Sequence, residues 1–285
     1  IKNVPYKPMF KLDYLASSGV GASVSQFGAG LSSGVQGVFS DILGHNTIYA
    51  GADVNGQIYD FGGQFIYINQ QGRWNFGFGL SHIPYQFAQY NIVPTTLKTG
   101  TTTEPGYQER YDIIRIFEDQ ANVFTSYPLS KVTRIEFGTG ISHYGYRVDR
   151  YSTNYDTLGN VLSDYQHQHI SNSSYNSDRA NGGAQLNPFT IYQVNTALVG
   201  DNSFFGIASP LNGFRYRLQA EYDFGTYHFF APTIDLRKYV RVAPVTFAAR
   251  LYGYGRFGGV DGLYPLYVGY PFYIRGYEAD RKSVV

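Results

Sequence analysis

The stretch Tyr216-Arg217-Leu218-Gln219-Ala220-Glu221-Tyr222-Asp223-Phe224 alternates strictly between two kinds of side chain. Apolar or aromatic residues occupy the even positions, and charged or amide residues occupy the odd positions. Successive side chains of a β-strand point to opposite faces, whereas an α-helix repeats its pattern every 3.6 residues or so, about twice as slowly. The stretch therefore predicts a β-strand with one apolar face and one charged face.

The same period of two recurs along most of the chain. In residues 74–82, large apolar side chains alternate with Asn, Gly and Ser, and residues 47–55 and 134–142 show comparable alternation. Together these patterns predict about eleven strands. We place them at residues 7–17, 26–40, 47–55, 59–69, 74–82, 108–127, 134–151, 189–208, 216–224, 230–237 and 245–256. Many are about twice as long as the strands of a typical soluble domain.

The connections between these strands are of two kinds. Those that follow even-numbered strands are short, whereas two long polar segments, 84–107 and 152–188, follow odd-numbered strands and are predicted to be loops. Outer-membrane barrels have this asymmetry, with short periplasmic turns and longer external loops. We therefore expect an all-β fold, an antiparallel up-and-down transmembrane β-barrel.

Composition excludes several other classes of protein. The 285 residues include 28 Tyr, 21 Phe and 33 Gly but no Cys, so neither a disulfide scaffold nor a thiolate site is possible. Mean hydropathy is −0.26, and no run approaches the ~20 apolar residues of a spanning helix. A net charge of +1 indicates no nucleic-acid partner. A soluble β-sandwich remains the alternative, because its apolar core and wet outer face would give the same alternation.

We find no pattern that indicates catalysis. His167 and His169 lie on one side of an extended segment, but no third metal ligand is nearby in sequence. No nucleophile elbow or phosphate-binding loop is present. The charges of residues 217–223 fit a hydrated lumen wall better than an acid–base pair. We therefore expect no enzyme activity, no metal and no cofactor.

A resemblance to a known family rests on two further stretches. Residues 269–278, Gly-Tyr-Pro-Phe-Tyr-Ile-Arg-Gly-Tyr-Glu, follow the eleventh predicted strand and resemble the signature loop of the BamA-like superfamily, also called the bacterial surface antigen family. Residues 34–44 look like the Gly-rich second strand of those barrels and its Leu-Gly turn. Within the superfamily, residues 6–84 and 127–130 are most similar to barrels of TolB-like proteins of Bacteroidetes.

The resemblance implies roles for particular residues. Ile274, Arg275, Gly276 and Tyr277 would form a loop that folds into the lumen, with the Arg275 guanidinium paired to a carboxylate. In the family that carboxylate lies on a later strand, so within this sequence the candidate partners are three acids predicted to face the lumen. These are Glu221, Asp223 and Asp235. The alternative interpretation is that Arg275 is an ordinary exposed loop residue.

The family barrel implies a total of about sixteen strands. We therefore expect residues 1–285 to form one incomplete barrel domain, with further strands after it and a periplasmic domain before it. The implied location is the bacterial outer membrane, and the implied function is outer-membrane protein assembly or protein translocation. The partners would be outer-membrane lipid, a periplasmic domain, lipoproteins and unfolded client proteins. The alternative function is a membrane anchor or passive pore attached to a periplasmic propeller domain.

Overall fold

The structure is a computed structural model, and it describes residues 7–25, 28–99, 102–178, 182, 185–207, 209–259 and 263. Nearly all of these residues belong to one large antiparallel sheet of 15 strands. The strands are β1 (Lys11–Ser25), β2 (Gly28–Ser40), β3 (Asn46–Gly56), β4 (Phe61–Asn69), β5 (Asn75–Thr99), β6 (Thr102–Pro128), β7 (Thr133–Asp156), β8 (Val161–Ile170), β9 (Phe189–Asp201), β10 (Phe204–Phe205), β11 (Pro210–Gly225), β12 (His228–Phe230), β13 (Thr233–Val242), β14 (Val245–Tyr254) and β15 (Phe257–Gly259).

Among the residues that the structure describes, two short helices interrupt the strands. A 3₁₀ helix, Ile58–Asp60, connects β3 to β4, and α1, Asn172–Ser177, follows β8. No helix in the part of the chain that the structure describes is long and apolar enough to cross a membrane.

Neighbouring strands in the sheet are mostly neighbours in sequence. The order is β1-β2-β3-β4-β5-β6-β7-β9-β11-β12-β15, and β13 pairs with both β11 and β14. The prediction of an all-β antiparallel fold with up-and-down neighbours is therefore confirmed. Among the described residues, however, β1 is paired with β2 alone, and no pairing joins it to the last strands, so the sheet is not closed into a barrel.

The two predicted long loops are wrong. Residues 84–107 continue β5 to Thr99 and begin β6 at Thr102, so they form an extended hairpin. Much of the segment 152–188 is also regular, because β7 continues to Asp156 and pairs with β8. Period-two alternation fails to show these strands because aromatic and polar side chains lie together on one face. Tyr90, for example, donates to Glu109 across the hairpin at 2.5 Å. The count of about eleven strands is also too low, because β8, β10, β12 and β15 were not predicted as separate strands.

The chain divides into two compact units. Unit 1 consists of residues 1–69, 77–122 and 141–190, and unit 2 consists of residues 70–76, 123–140 and 191–285. Unit 1 contains a small buried core made of Ile114, Val148, Tyr175 and Leu186. Unit 2 has ten-residue strands, β13 and β14, in continuous register from Thr233↔Tyr254 to Val242↔Val245.

Candidate functional site

In unit 1, a polar face of β5, β6 and β7 is organised around the Glu118 carboxylate. Tyr85 donates to Glu118 Oε2 at 2.8 Å, while Tyr144 and Gln120 both donate to Oε1 at 2.5 Å. All of these residues lie on one face of the sheet. Glu118 and Gln120 are two positions apart on β6, and Tyr85 and Tyr144 reach Glu118 from the neighbouring strands. We call this surface the polar face, and it continues along β6 through Ile114 and Asp112 and along β7 through Val148 and Arg150.

Residues 171–178 and 185–187 pack onto the polar face, and we call them the covering segment. The segment begins with a helix cap, because Ser171 Oγ accepts from the backbone N–H of Ser174 at 3.3 Å. The α1 turn that follows directs Tyr175 into the core, where its side chain is 0% exposed and donates to Gln89 Oε1 at 2.7 Å. Leu186 adds the second apolar contact. A short stretch without an apolar run of its own is thus packed onto the face through Tyr175 and Leu186.

Two ion pairs hold the end of α1 in place. Asp178 Oδ2 accepts from Arg110 Nη1 at 2.5 Å and from Arg150 Nη1 at 3.2 Å. Arg150 also forms a bidentate pair with Asp112, at 2.7 and 2.8 Å. Asp112 is fully buried, so its charge depends on this guanidinium for compensation.

A second ion network lies on the opposite face of β6 and β7. Arg115, which is 1% exposed, donates to Asp60 at 2.7 Å and to Asp149 at 2.5 Å. Asp149 also accepts a bidentate pair from Arg147 at 2.9 and 3.0 Å. The 3₁₀ helix brings Asp60 to this position, and Gln57 extends the network by accepting from Arg115 at 3.2 Å. Residues 112–116 of β6 are therefore buried on both faces of the sheet.

The two histidines noted in the sequence lie next to the second network. His167 Nε2 and His169 Nδ1 lie 3.6 and 3.7 Å from Asp149 Oδ1, and His167 stacks on Tyr151 with ring centroids 4.6 Å apart. Asp149 is already occupied by two guanidinium groups, which would repel a metal ion. No group of three metal-ligating side chains occurs among the described residues.

A shallow depression of about 580 Å³ lies on unit 1 and has a mixed lining that includes Leu80 and Ile141. His82 and Asp119 also line it and form a hydrogen bond of 2.6 Å between Nδ1 and Oδ1. His143 reaches it from β7 and contacts Thr190 Oγ1 at 2.9 Å. The depression is open to solvent, and the Ser81 hydroxyl in its lining donates to Gln120 Oε1 at 3.4 Å, so we assign no chemistry to it.

Unit 2 carries charges on alternate residues of its strands. Arg217 pairs with Glu136 at 2.8 Å, and Asp235 accepts from Arg237 at 2.6 Å and from Arg250 at 2.9 Å. Arg237 and Arg250 are direct cross-strand partners, so Asp235 neutralises two like charges that would otherwise repel each other. This arrangement is a wall of compensated charge.

The sequence-predicted residues are distributed unevenly in the structure. Residues 274–277, with Arg275, lie outside the described residues. Of their three candidate partners, Asp235 has the two arginine partners above, and Glu221 Oε2 accepts from Gln219 at 3.0 Å. Asp223 is 4% exposed, and among the described residues no group donates to its Oδ2 atom. Whether any of them pairs with Arg275 stays a prediction.

Sequence reasoning missed both networks of unit 1. They combine residues from segments that were predicted to be loops or were treated as ordinary strand, with partners up to 68 positions apart in sequence. One signal was present, since Asp149 and Arg150 are adjacent in a predicted strand and must point to opposite faces. Two oppositely directed charges in a strand indicate that both faces have polar partners.

The arrangement as a whole can support a polar surface, a covering segment and ion-pair walls, together with an exposed hydroxyl–imidazole contact of 2.9 Å between Thr190 Oγ1 and His143 Nδ1. Comparison with protein families, with curated proteins and with solved structures found no match.

Proposed function

We propose that this chain forms the wall of a transmembrane β-barrel of the bacterial outer membrane and takes part in outer-membrane protein assembly or protein translocation. The observation that carries the proposal is the apolar face of the sheet. Large apolar side chains stand on alternate residues of successive strands and are exposed, while small, polar or charged side chains occupy the positions between them.

The two ten-residue strands of unit 2 give the clearest case. Phe247 and Leu251 are 63% and 64% exposed, and their cross-strand partners Val240 and Leu236 are 43% and 37% exposed. Soluble monomers rarely expose contiguous apolar patches beyond a few hundred Å². Lipid contact removes the cost of such a face, whereas water does not.

Strand length fits the same interpretation. Ten residues at about 3.4 Å each, tilted by about 40°, rise about 26 Å, which matches the ~25 Å apolar band of outer-membrane barrels. β13 and β14 each have 10 residues. In lipid every backbone group needs a partner, so the proposal requires both edges of the described sheet to be paired in the membrane.

The role in assembly or translocation is supported by the resemblance of residues 274–277 to the superfamily signature. The second candidate function, a passive pore or an anchor for a periplasmic domain, is favoured by the charged face of unit 2. There Arg217, Arg237 and Arg250 all have carboxylate partners, which suits a wall in contact with water. Under both functions the chain spans the membrane, and the two differ in what passes through it.

Two substitutions on β14 test the membrane orientation. Leu251→Lys places a cation on the apolar face near the middle of the strand, and we expect it to destabilise the folded protein in lipid vesicles by about 2–4 kcal/mol. Ala248→Lys is the matched control on the charged face and should cost less than about 0.5 kcal/mol. Equal costs, measured by urea unfolding in vesicles, would indicate that both faces are in water.

Conductance distinguishes the two candidate functions. Full-length protein in a planar bilayer should give small, fluctuating conductance that becomes larger or less stable with Arg275→Ala, if residues 274–277 obstruct the lumen. Identical conductance of wild type and variant would favour the anchor or simple pore and make Arg275 an ordinary loop residue.

A further inference from the structure

In unit 2, a basic and aromatic cluster lies where β5 begins and β6 ends. The Arg73 guanidinium lies 4.7 Å from the Tyr127 ring centroid, and the Trp74 and Tyr127 rings are 4.8 Å apart. Trp74 is nonetheless 52% exposed. Lys131, in the turn between β6 and β7, is also exposed. Large aromatic side chains with adjacent cations are characteristic of a membrane–water interface.

A second cluster of the same kind lies on β11 and β13, with its cation four residues before the end of β13. Lys238 Nζ lies 5.9 Å from the Phe214 ring centroid, and Phe214 stacks with Tyr216 at 6.0 Å. Lys238 is exposed on the apolar face of β13, at the sixth of its ten residues, and its long apolar stem can extend along lipid toward the turn so that the ammonium reaches the interface. Arg241, at the end of β13, is exposed.

The turns beside these clusters contain bulky apolar side chains. Leu129 is 53% exposed between β6 and β7, Phe204 is 68% exposed between β9 and β11, and Val242 and Val245 are 58% and 52% exposed beside the β13–β14 turn. Turns in contact with water are normally built from small and polar residues. We call these turns and the two clusters together the short-turn edge of unit 2.

The charge at the short-turn edge is unbalanced. Arg73, Lys131, Lys238 and Arg241 have no carboxylate partner among the residues that the structure describes. The nearby Asp201 carboxylate is already paired with Arg215 at 2.9 Å. The edge therefore presents four basic groups together with apolar and aromatic side chains, a combination that complements a phosphate-bearing surface above hydrocarbon.

We propose that the short-turn edge of unit 2 binds anionic phospholipid, with the four basic side chains at the phosphates and Trp74, Leu129 and Phe204 inserted at the level of the glycerol and upper acyl chains. The inference rests on the proposed membrane barrel. It specifies which class of lipid the short-turn edge binds in the leaflet next to it. Each basic residue near an anionic surface is expected to strengthen the association by about fivefold.

Trp74 is the only tryptophan among 285 residues, so its fluorescence reports on this edge alone. The full chain would be reconstituted in vesicles of phosphatidylcholine and phosphatidylglycerol, with bromine carried by one lipid or the other at equal total composition. Brominated phosphatidylglycerol is expected to quench Trp74 more strongly than brominated phosphatidylcholine. Lys131→Gln and Arg241→Gln, both at exposed positions, should each lower that preference by up to about fivefold, and the variant lacking all four basic groups should abolish it.

Arg256→Gln is the control, because it removes a cation beyond the other end of β14 and should leave the preference unchanged. Equal quenching by the two brominated lipids, or a preference that persists without the four basic groups, would refute the headgroup proposal while leaving the barrel intact. Folded protein whose Trp74 is quenched by neither lipid would refute both proposals.

Discussion

Truncation of Tyr175 should release the covering segment from the polar face of unit 1. Tyr175 is 0% exposed, and its hydroxyl donates to Gln89 at 2.7 Å. Removal of a buried aromatic side chain costs about 3–5 kcal/mol of stability, and the lost hydrogen bond adds about 1 kcal/mol. We take the lower end of this sum, about 4 kcal/mol, as the local loss in Tyr175→Ala, which corresponds to an opening constant about a thousandfold larger.

Hydrogen exchange measures this opening directly. The backbone N–H of Tyr175 donates to Ser171 O at 2.9 Å and that of Asp178 donates to Tyr175 O at 3.2 Å, so both amides exchange when the segment opens. Tyr175→Phe keeps the ring and should raise exchange by only about fivefold, for the loss of one hydrogen bond. Exchange in Tyr175→Ala that stays within about tenfold of wild type would show that the aromatic contact does not hold the segment.

Two further outcomes follow from the charged groups of unit 1. Arg115→Met should lower the free energy of unfolding by about 3–5 kcal/mol, because it leaves Asp60 and Asp149 buried without their shared guanidinium. A loss below about 1 kcal/mol, measured by urea unfolding, would contradict this expectation. The side-chain hydrogen bond from Asn160 holds the pKa of Asp156, in the β7–β8 turn, below its usual range. Because the folded-state pKa is lowered, the ionised carboxylate stabilises the turn above the unfolded pKa of about 3.9, and this contribution is lost only as pH falls through the folded pKa. The Asp156 carboxyl resonance should therefore titrate below pH ~3.9. A titration midpoint at or above that value would contradict the hydrogen bond.

Regular amphipathic strands were predictable because their period is local. The stretch 216–224 and the stretch 47–55 both lie within observed strands, β11 and β3, and a single alternation was enough to identify them. The strand predicted at 230–237 was wrong at its start, since β12 ends at Phe230 and β13 begins at Thr233, on either side of Pro232, which has no N–H for a ladder.

The candidate site was much less predictable, because its order depends on contacts distant in sequence. Residues 84–107 look like a loop because prolines and threonines hide a hairpin whose stability comes from cross-strand pairs such as Tyr90 with Glu109. Arg115 meets Asp60 only because a 3₁₀ helix 55 positions earlier reaches the same face. No local sequence pattern predicts a contact between residues so far apart in sequence. The proposed Arg275 partner likewise remains a prediction, since residues 274–277 lie outside the described residues.

The burial of residues 112–116 on both faces implies an order of folding. The covering segment supplies one side, and the 3₁₀ helix with its neighbours supplies the other, so neither can pack until β6 and β7 have paired. Before that happens, Asp112 and Arg115 are hydrated, and their desolvation is compensated only when partners arrive from both directions. We therefore expect the β6–β7 hairpin to form early in folding. The covering segment and the 3₁₀ helix should pack last, after pairing of β6 with β7 has positioned the charged side chains that they neutralise.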